Sequence, residues 1–464
     1  MSVYLDNAAT TMMPPEAIRA LTAWVNRGNP SAAYASAQEA RQLIDGFRQE
    51  LARYCGVKLA NGSGDAAGYE LLFTSGGSES NCTIVRAVVD SFERATRLRP
   101  HVISSAIEHK SLLACLKDLE AGGVIQLTLV EPDLAGPSCG CIAPDRVAAA
   151  VRPNTALVSI MSANNETGAI NDLRGIAAAV RRAAATQHAR TMLQLEAGQR
   201  AGRRRRRQNA PTAPTTPRMV PIHTDAVQLF GKSTFAPMEL GVDAFSVSFH
   251  KLGGPPGIGL LGIRRELVDG YRLCPLVCGT QNGGLRGGTE AVHQVAAACA
   301  GFRSTLAERG PKNRRLVALK NLLRNELGGR VRARWLAPPD LLGPGDKPVS
   351  AAPAGPEIVW IAPPGRIGDI RTLPGTLLLC AVPPPGRQFC NLRAREALEK
   401  QGFIVGIGSA CNTGSGEMSH VLRSLRIRPE LARGTIRVSL GSDITEANIR
   451  RFADALAALT KNGV

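Results

Sequence analysis

The segment Val242–Lys251 constrains the fold of this chain more than any other stretch. It is short and rich in apolar and β-favouring residues, and a Gly- and Pro-rich stretch at 252–259 follows it, so we predict a buried strand ending in a turn. Lysine is rarely buried without a partner, yet Lys251 closes this strand. A buried amine loses proton affinity, which favours Schiff-base formation with a carbonyl. The alternative is a lysine that reaches the surface from a strand end.

Two other predicted strands end next to polar residues. Ala156–Ala163 is followed by Asn165, and Met219–Thr224 is followed by Asp225, with Gln228 close behind. In open α/β sheets, ligands bind outside the carboxyl ends of the strands. We therefore expect an amide, a carboxylate and an amine to face one crevice. This set suits pyridoxal phosphate, which needs a lysine for its Schiff base and an aspartate for its pyridinium nitrogen.

A glycine turn offers a phosphate site. The predicted strand Glu70–Ser75 runs into Gly76–Asn81, which is predicted to open a helix. Free backbone N–H groups and the positive end of the helix dipole favour phosphate at such a position. Gly77 and Ser78 are therefore candidate phosphate ligands, and a plain strand-to-helix connection is the alternative.

Composition limits the class of protein. A chain of 464 residues predicts two or three domains, and a hydrophobic content of 44% is ordinary for a globular protein. No apolar run approaches the ~18–20 residues of a membrane span, and no secretory signal or transit peptide is recognisable. Eleven cysteines without a secretory signal indicate reduced thiols and a cytoplasmic location. Cys139 and Cys141 are interpreted as free thiols, and no metal site is predicted.

The positive charge is unevenly distributed. The chain carries a net charge of +18, and residues 186–221 hold eight arginines and one glutamate. We predict that 186–218 is a disordered Arg- and Pro-rich surface insertion, because such a composition cannot bury a core. Its tract Arg203–Arg207 could instead bind nucleic acid or act as a nuclear localisation signal.

As a set, the motifs resemble those of the NifS-like cysteine desulfurases and the related selenocysteine lyases, of the class V aminotransferase group. The resemblance runs from Leu5–Thr11 to Ile436–Gly441 and fails in 186–218 and 330–390. It implies the α/β architecture of fold type I pyridoxal-phosphate enzymes. That architecture has a large domain with a mostly parallel mixed sheet flanked by helices, and a smaller α+β domain built from the chain ends.

The resemblance also implies domain boundaries. Residues 1–30 would be the N-terminal segment of the small domain, and residues 31–300 would be the large cofactor-binding domain. Residues 301–464 would form the C-terminal small domain, which carries a Gly- and Ser-rich loop around Cys411.

The resemblance assigns residues to the cofactor, pyridoxal 5′-phosphate. Lys251 would hold it covalently, Asp225 would keep its pyridine nitrogen protonated, and His109 would stack on its ring and carry protons. The other expected ligands are Gly77, Ser78, Ser248 and His250 at the phosphate, Gln228 and Asn165 at the ring oxygen and substrate, and Thr289 at the phosphate of a partner subunit. Family members usually have an arginine where this chain has Gly283, which departs from the pattern.

The expected reaction is the conversion of L-cysteine to L-alanine, with the sulfur transferred to Cys411 as a persulfide. Arg437 would bind the substrate carboxylate. The expected partners are a second copy of the chain and a sulfur-acceptor protein, as in iron–sulfur cluster assembly. Two alternatives stay open: a selenocysteine lyase acting on L-selenocysteine, and a non-catalytic relative that binds nucleic acid through its arginine tract.

Overall fold

Three sheets make up the strand framework of the described part of the chain. The computed structural model describes residues 2–60, 67–134, 136–202, 219–343, 355–361, 371–407 and 418–464. The strands within these ranges are β1 Val3–Leu5, β2 Tyr69–Thr74, β3 His101–Ser105, β4 Gln126–Val130, β5 Thr155–Ser159, β6 Ile222–Asp225, β7 Ala244–Ser248, β8 Gly259–Arg264, β9 Arg332–Trp335, β10 Glu357–Trp360, β11 Thr376–Val382, β12 Phe403–Val405 and β13 Thr435–Ser439.

Helices separate most of the strands in sequence, as expected for an α/β chain. They are α1 Pro15–Trp24, α2 Ala35–Cys55, α3 Gly77–Thr96, α4 Lys110–Ala121, α5 Pro144–Ala149, α6 Leu173–Gly202, α7 Pro237–Leu240, α8 Arg265–Tyr271, α9 Val292–Ala307, α10 Arg309–Arg330, α11 Asn391–Lys400, α12 His420–Ser424, α13 Pro429–Ala432 and α14 Glu446–Asn462. None of them is both long and apolar enough to cross a membrane, within the residues described.

The large sheet has seven strands in the order β2-β8-β7-β6-β5-β3-β4. Strand β8 is antiparallel to both β2 and β7, and the other pairings are parallel. Strands β3, β5, β6 and β7 are buried along their whole length, as expected when helices cover both faces of a parallel sheet. The predicted mostly parallel sheet is therefore confirmed, and the carboxyl ends of β5, β6 and β7 lie side by side.

The C-terminal part of the chain builds a smaller four-stranded sheet in the order β13-β11-β10-β9. The N-terminal strand β1 pairs in parallel with β12, so the two ends of the chain meet here. Helix α1, in contrast, packs on α9. The boundaries expected at residues 30 and 300 stay predictions.

Aromatic side chains fill the core between the large sheet and α2 and α9. Phe230 is fully buried, and its ring centroid lies 4.9 Å from Tyr54, 5.9 Å from Phe302 and 6.1 Å from Phe245. Complete burial of one such side chain contributes about 1.5–3 kcal/mol of transfer free energy. This core fixes the end of β6, which carries Asp225, and the turns after β6 and β7, which carry Gln228 and Lys251.

Some local predictions differ from the structure. Strand β7 ends at Ser248, and Phe249–Lys251 form a single 3₁₀ turn. The backbone of 186–202 continues helix α6 to Gly202, so the predicted disorder of the insertion is wrong for this part. Residues 203–218, with the arginine tract, lie outside the described residues.

Candidate functional site

A cavity of about 300 Å³ opens beyond the carboxyl ends of β6 and β7. Ten of the twelve residues predicted for the site line it: Gly77, Ser78, His109, Asn165, Asp225, Gln228, Ser248, His250, Lys251 and Arg437. Ala8, Ala9, Asn81, Met161 and Val227 complete its wall. The crevice expected from the strand ends is thus present, and chain segments more than 400 residues apart in sequence contribute to it.

Lys251 lies in the turn after β7, and its Nζ donates a hydrogen bond to the carbonyl oxygen of Ala9. Burial and the nearby Arg437 guanidinium lower the pKa of Lys251 to about 8, against the smaller opposing effects of Asp6 and Asp225. A substantial fraction of this amine is therefore unprotonated near neutral pH, as a nucleophilic lysine requires.

Asp225 ends β6 and is 4% exposed. Its Oδ2 accepts a hydrogen bond of 2.8 Å from Asn81 Nδ2, and its Oδ1 accepts one of 3.0 Å from the backbone N–H of Val227. Asn81 is a further residue of the site that was not predicted from the sequence, although it lies one helical turn after Gly77 on α3 and therefore faces the same cavity. The two donors fix the orientation of the Asp225 carboxylate.

One end of the cavity suits a phosphate group. Gly77 is the first residue of the 20-residue helix α3, where backbone N–H groups are free. A Cβ atom at Gly77 would lie 2.8 Å from Val227 Cγ2 and 3.6 Å from Ser248 Cβ, so only glycine leaves this corner open. Burial and the neighbouring Lys251 lower the pKa of His250 to about 4, so it is a neutral donor or acceptor at physiological pH.

Arg437 on β13 also lines the cavity. Its Nη2 donates to Asp6 Oδ1 at 2.7 Å, and its Nη1 donates to the carbonyl oxygen of Asn165 at 3.1 Å. Its buried Nε has no hydrogen-bond partner within the described part of the chain. Asp6 was not predicted as a site residue, although it belongs to the recognised N-terminal motif. The ion pair with Asp6 therefore orients the Arg437 guanidinium, which can still donate hydrogen bonds to an anion.

Gln228 connects the cavity to a buried lysine behind it. Gln228 Nε2 donates to the carbonyl oxygen of Ala8 at 3.1 Å, and its Oε1 accepts from Lys232 Nζ at 3.1 Å. Burial, followed by the charges of Lys251, Lys312 and Arg437, lowers the pKa of Lys232 to about 7. The amide of Gln228 is therefore held with its oxygen towards Lys232.

His109 is an exposed residue that caps helix α4. Its Nδ1 accepts from the backbone N–H of Ser111 at 3.2 Å, which leaves Nε2 available. The preceding Glu108 is completely buried and accepts from Ser105 Oγ at 2.5 Å and from the backbone N–H of Met161 at 2.9 Å. Burial raises the pKa of Glu108 to about 8.

Thr289, another predicted site residue, does not line this cavity. Thr289 is exposed in the Gly-rich segment after α8. The same segment is attached to α3 through a two-pronged ion pair, with Arg286 Nε 2.9 Å from Glu79 Oε1. Its Gly283 has a φ of +62°.

Cys411 lies outside the described residues, but both flanks of its segment are anchored beside the cavity. Gly406 exchanges two backbone hydrogen bonds with Arg437. On the other side, Ser419 Oγ donates to Glu166 at 2.8 Å. His420 Nε2 lies 2.8 Å from the carbonyl oxygen of Glu108. The ends of the cysteine segment are therefore fixed at the rim of the site.

Comparison with known proteins is consistent with this architecture. The family profile of aminotransferase class-V matches residues 3–189 and 217–304. The chain belongs to the aminotransferase class V family. Among its relatives in this family, the cysteine desulfurase IscS of Methylococcus capsulatus is 30% identical, over 97% of this chain and 90% of the relative.

Two further similarities fall in the same group. The rat selenocysteine lyase is 29% identical over 96% of this chain and 91% of the relative. A solved structure described as a NifS-like protein superimposes with a TM-score of 0.73 at 25% identity and covers 99% of both chains. The resemblance and the fold class predicted from the sequence are thus confirmed.

Gly406→Ala tests the Arg437–Asp6 pair. A Cβ atom at Gly406 would lie 2.7 Å from Asp6 Oδ1 and 2.9 Å from Arg437 Nε, so we expect a loss of about 1–3 kcal/mol of unfolding free energy. Gly46→Ala is the matched control, because a Cβ atom there meets nothing within 4 Å. Thermal unfolding of both variants measures the difference. Equal melting temperatures for the two variants would contradict this account of the pair.

Proposed function

We propose that this class V family member is a pyridoxal-phosphate-dependent cysteine desulfurase. The observation that carries the proposal is the half-buried amine of Lys251, whose pKa is lowered to about 8, in one cavity with the carboxylate of Asp225. The full-length similarity to proteins named cysteine desulfurase supports it.

The donor set fits pyridoxal phosphate. The open glycine corner at the start of α3, together with Ser248 and His250, suits a dianionic phosphate, because it offers N–H and O–H donors without a carboxylate. Asp225, oriented by Asn81, suits a protonated ring nitrogen. Lys251 supplies the amine for the aldehyde. The cofactor, when bound, acts as an electron sink for the substrate carbon.

The other residues of the cavity bind and orient the substrate. Arg437, positioned by Asp6, offers a charge-assisted donor for the carboxylate of L-cysteine. His109, with Nε2 available, carries protons at the open side, and Lys251 Nζ exchanges a proton near neutral pH because its pKa is lowered.

Cys411 would act as the sulfur acceptor. In the net reaction the Cβ–S bond of L-cysteine breaks, and an S–S bond forms between the substrate sulfur and the Cys411 thiol. Cβ takes up a proton to give L-alanine, and the enzyme is left with a persulfide. A thiolate is the attacking form, so cationic groups near the rim would favour the step. A separate acceptor protein would then receive the sulfur.

A homodimer is part of the same proposal. The exposure of Thr289 on a segment fixed by the Arg286–Glu79 pair leaves it available to complete the phosphate site of a second copy. A cytoplasmic location stays a prediction, as does a nucleic-acid role for Arg203–Arg207.

Selenocysteine lyase is the second candidate function. The observation that favours it is the 29% identity to the rat selenocysteine lyase, which is close to the 30% identity to the Methylococcus desulfurase. The two functions differ in their need for Cys411, because selenium leaves its carbon more readily than sulfur does.

The role of Lys251 is tested with Lys251→Ala. The purified protein is expected to be yellow, and the variant should lose the covalently held cofactor and at least about a thousandfold in turnover. Borohydride reduction and peptide mapping of the unaltered protein should place the label on Lys251. Lys117→Ala, an exposed lysine on α4, is the control. A label on a different lysine would contradict the proposal.

The role of Cys411 is tested with Cys411→Ser. The variant should keep the absorbance of the bound cofactor but lose persulfide and sulfide formation from L-cysteine, while any activity on L-selenocysteine falls less. Cys278→Ser is the control, because this thiol is exposed and does not line the cavity. Undiminished desulfuration by Cys411→Ser would remove Cys411 from the mechanism.

A further inference from the structure

A second cavity lies on the other side of Lys251. Its volume is about 60 Å³, and it is bounded by the turn after β6, the start of α10, and the loops before β11 and after β13. It shares Ala8 and Lys251 with the first cavity. It is therefore an adjoining chamber at the base of the catalytic lysine.

The wall of this chamber is strongly basic. Four cationic side chains line it, namely Lys232, Lys251, Arg309 and Lys312, and the described residues around it include no carboxylate. Glu308 and Asp443 act on Lys312 electrostatically, but neither lines the chamber. Each element around it thus contributes either a cation or neutral groups.

The hydrogen bonds of these cations go to neutral acceptors. Lys232 donates to Gln228 Oε1 at 3.1 Å, and Lys251 donates to the carbonyl oxygen of Ala9. Arg309 Nη1 donates to the carbonyl oxygen of Ser233 at 3.5 Å, and its guanidinium lies 5.6 Å from the centroid of the Tyr54 ring. None of these contacts neutralises charge.

The concentration of positive charge has an energetic cost. Burial and the neighbouring cations lower the pKa of Lys232 to about 7, and burial lowers the pKa of Lys312. A group of partly buried like charges is stabilised by any anion that can enter, because the anion replaces repulsion by attraction.

We propose that this chamber binds one small oxyanion of the sulfate or phosphate type. A cavity of about 10–15 Å³ holds one water molecule. The chamber, at about 60 Å³, therefore has room for a tetrahedral ion but not for a nucleotide or a second cofactor. The site goes beyond the proposed desulfurase function, since Lys232, Arg309 and Lys312 still line the chamber when Lys251 holds the cofactor. Through Lys232 and Gln228, an ion bound there acts on the wall of the catalytic cavity.

Equilibrium dialysis with radiolabelled sulfate tests the proposal on protein saturated with pyridoxal phosphate, so that the phosphate corner at Gly77 is filled. The expected stoichiometry is one ion per chain, and unlabelled phosphate should compete while chloride at equal ionic strength should not. Lys312→Gln and Arg309→Gln should each weaken binding at least about tenfold. Arg314→Gln, an exposed cation on the same helix, should leave it unchanged.

Lys312→Arg is the control for misfolding of Lys312→Gln. It changes the same position but keeps the positive charge, so it should retain sulfate binding. Binding should also raise the melting temperature of the unaltered protein, because a ligand of the folded state stabilises it. Three results would overturn the proposal: no stoichiometric sulfate binding, an equal loss in Arg314→Gln, or binding that occurs only when pyridoxal phosphate is absent. The last result would assign the ion to the cofactor phosphate corner.

Discussion

The partial burial of one lysine amine, Lys251, beside a cluster of other charges is the constraint on which the rest of this structure depends. Lys251 lies in the turn that follows the fully buried strand β7. Its surroundings lower its pKa to about 8. Lys232 has a lowered pKa as well. These two amines therefore bind more protons in the unfolded chain than in the folded chain between about pH 7 and 10, so their contribution to stability rises with pH in that window.

The two ends of the chain close the site. Strand β1 pairs with β12, and the ion pair between Asp6 and Arg437 joins residues 431 positions apart. The carbonyl oxygen of Ala9 receives the Lys251 hydrogen bond, so the N-terminal segment forms a direct wall of the cavity. The fold thereby brings Asp225 and Lys251 of the large sheet together with Arg437 of the small sheet in one cavity.

The strand ends and their cavity could be predicted from the sequence, because the carboxyl ends of neighbouring parallel strands share one edge. The pairs Asn81–Asp225 and Asp6–Arg437 could not, because periodicity carries no information on contacts 144 or 431 residues apart. Helix α6 continues to Gly202 for a local reason that differs from the predicted disorder. Residues 186–202 are rich in Ala, Leu, Gln and Arg, which are strong helix formers, so their arginine content does not prevent a helix.

The most direct measurement is the pKa of the Lys251 amine in protein from which the cofactor has been removed. Competitive amine labelling across pH 6 to 11, with the Lys251 peptide quantified by mass spectrometry, gives this value. The account predicts a midpoint near pH 8, since burial and the Arg437 charge disfavour the ammonium form. A midpoint near the ordinary lysine value of about 10.4 would contradict it, because Lys251 would then be an unperturbed surface amine.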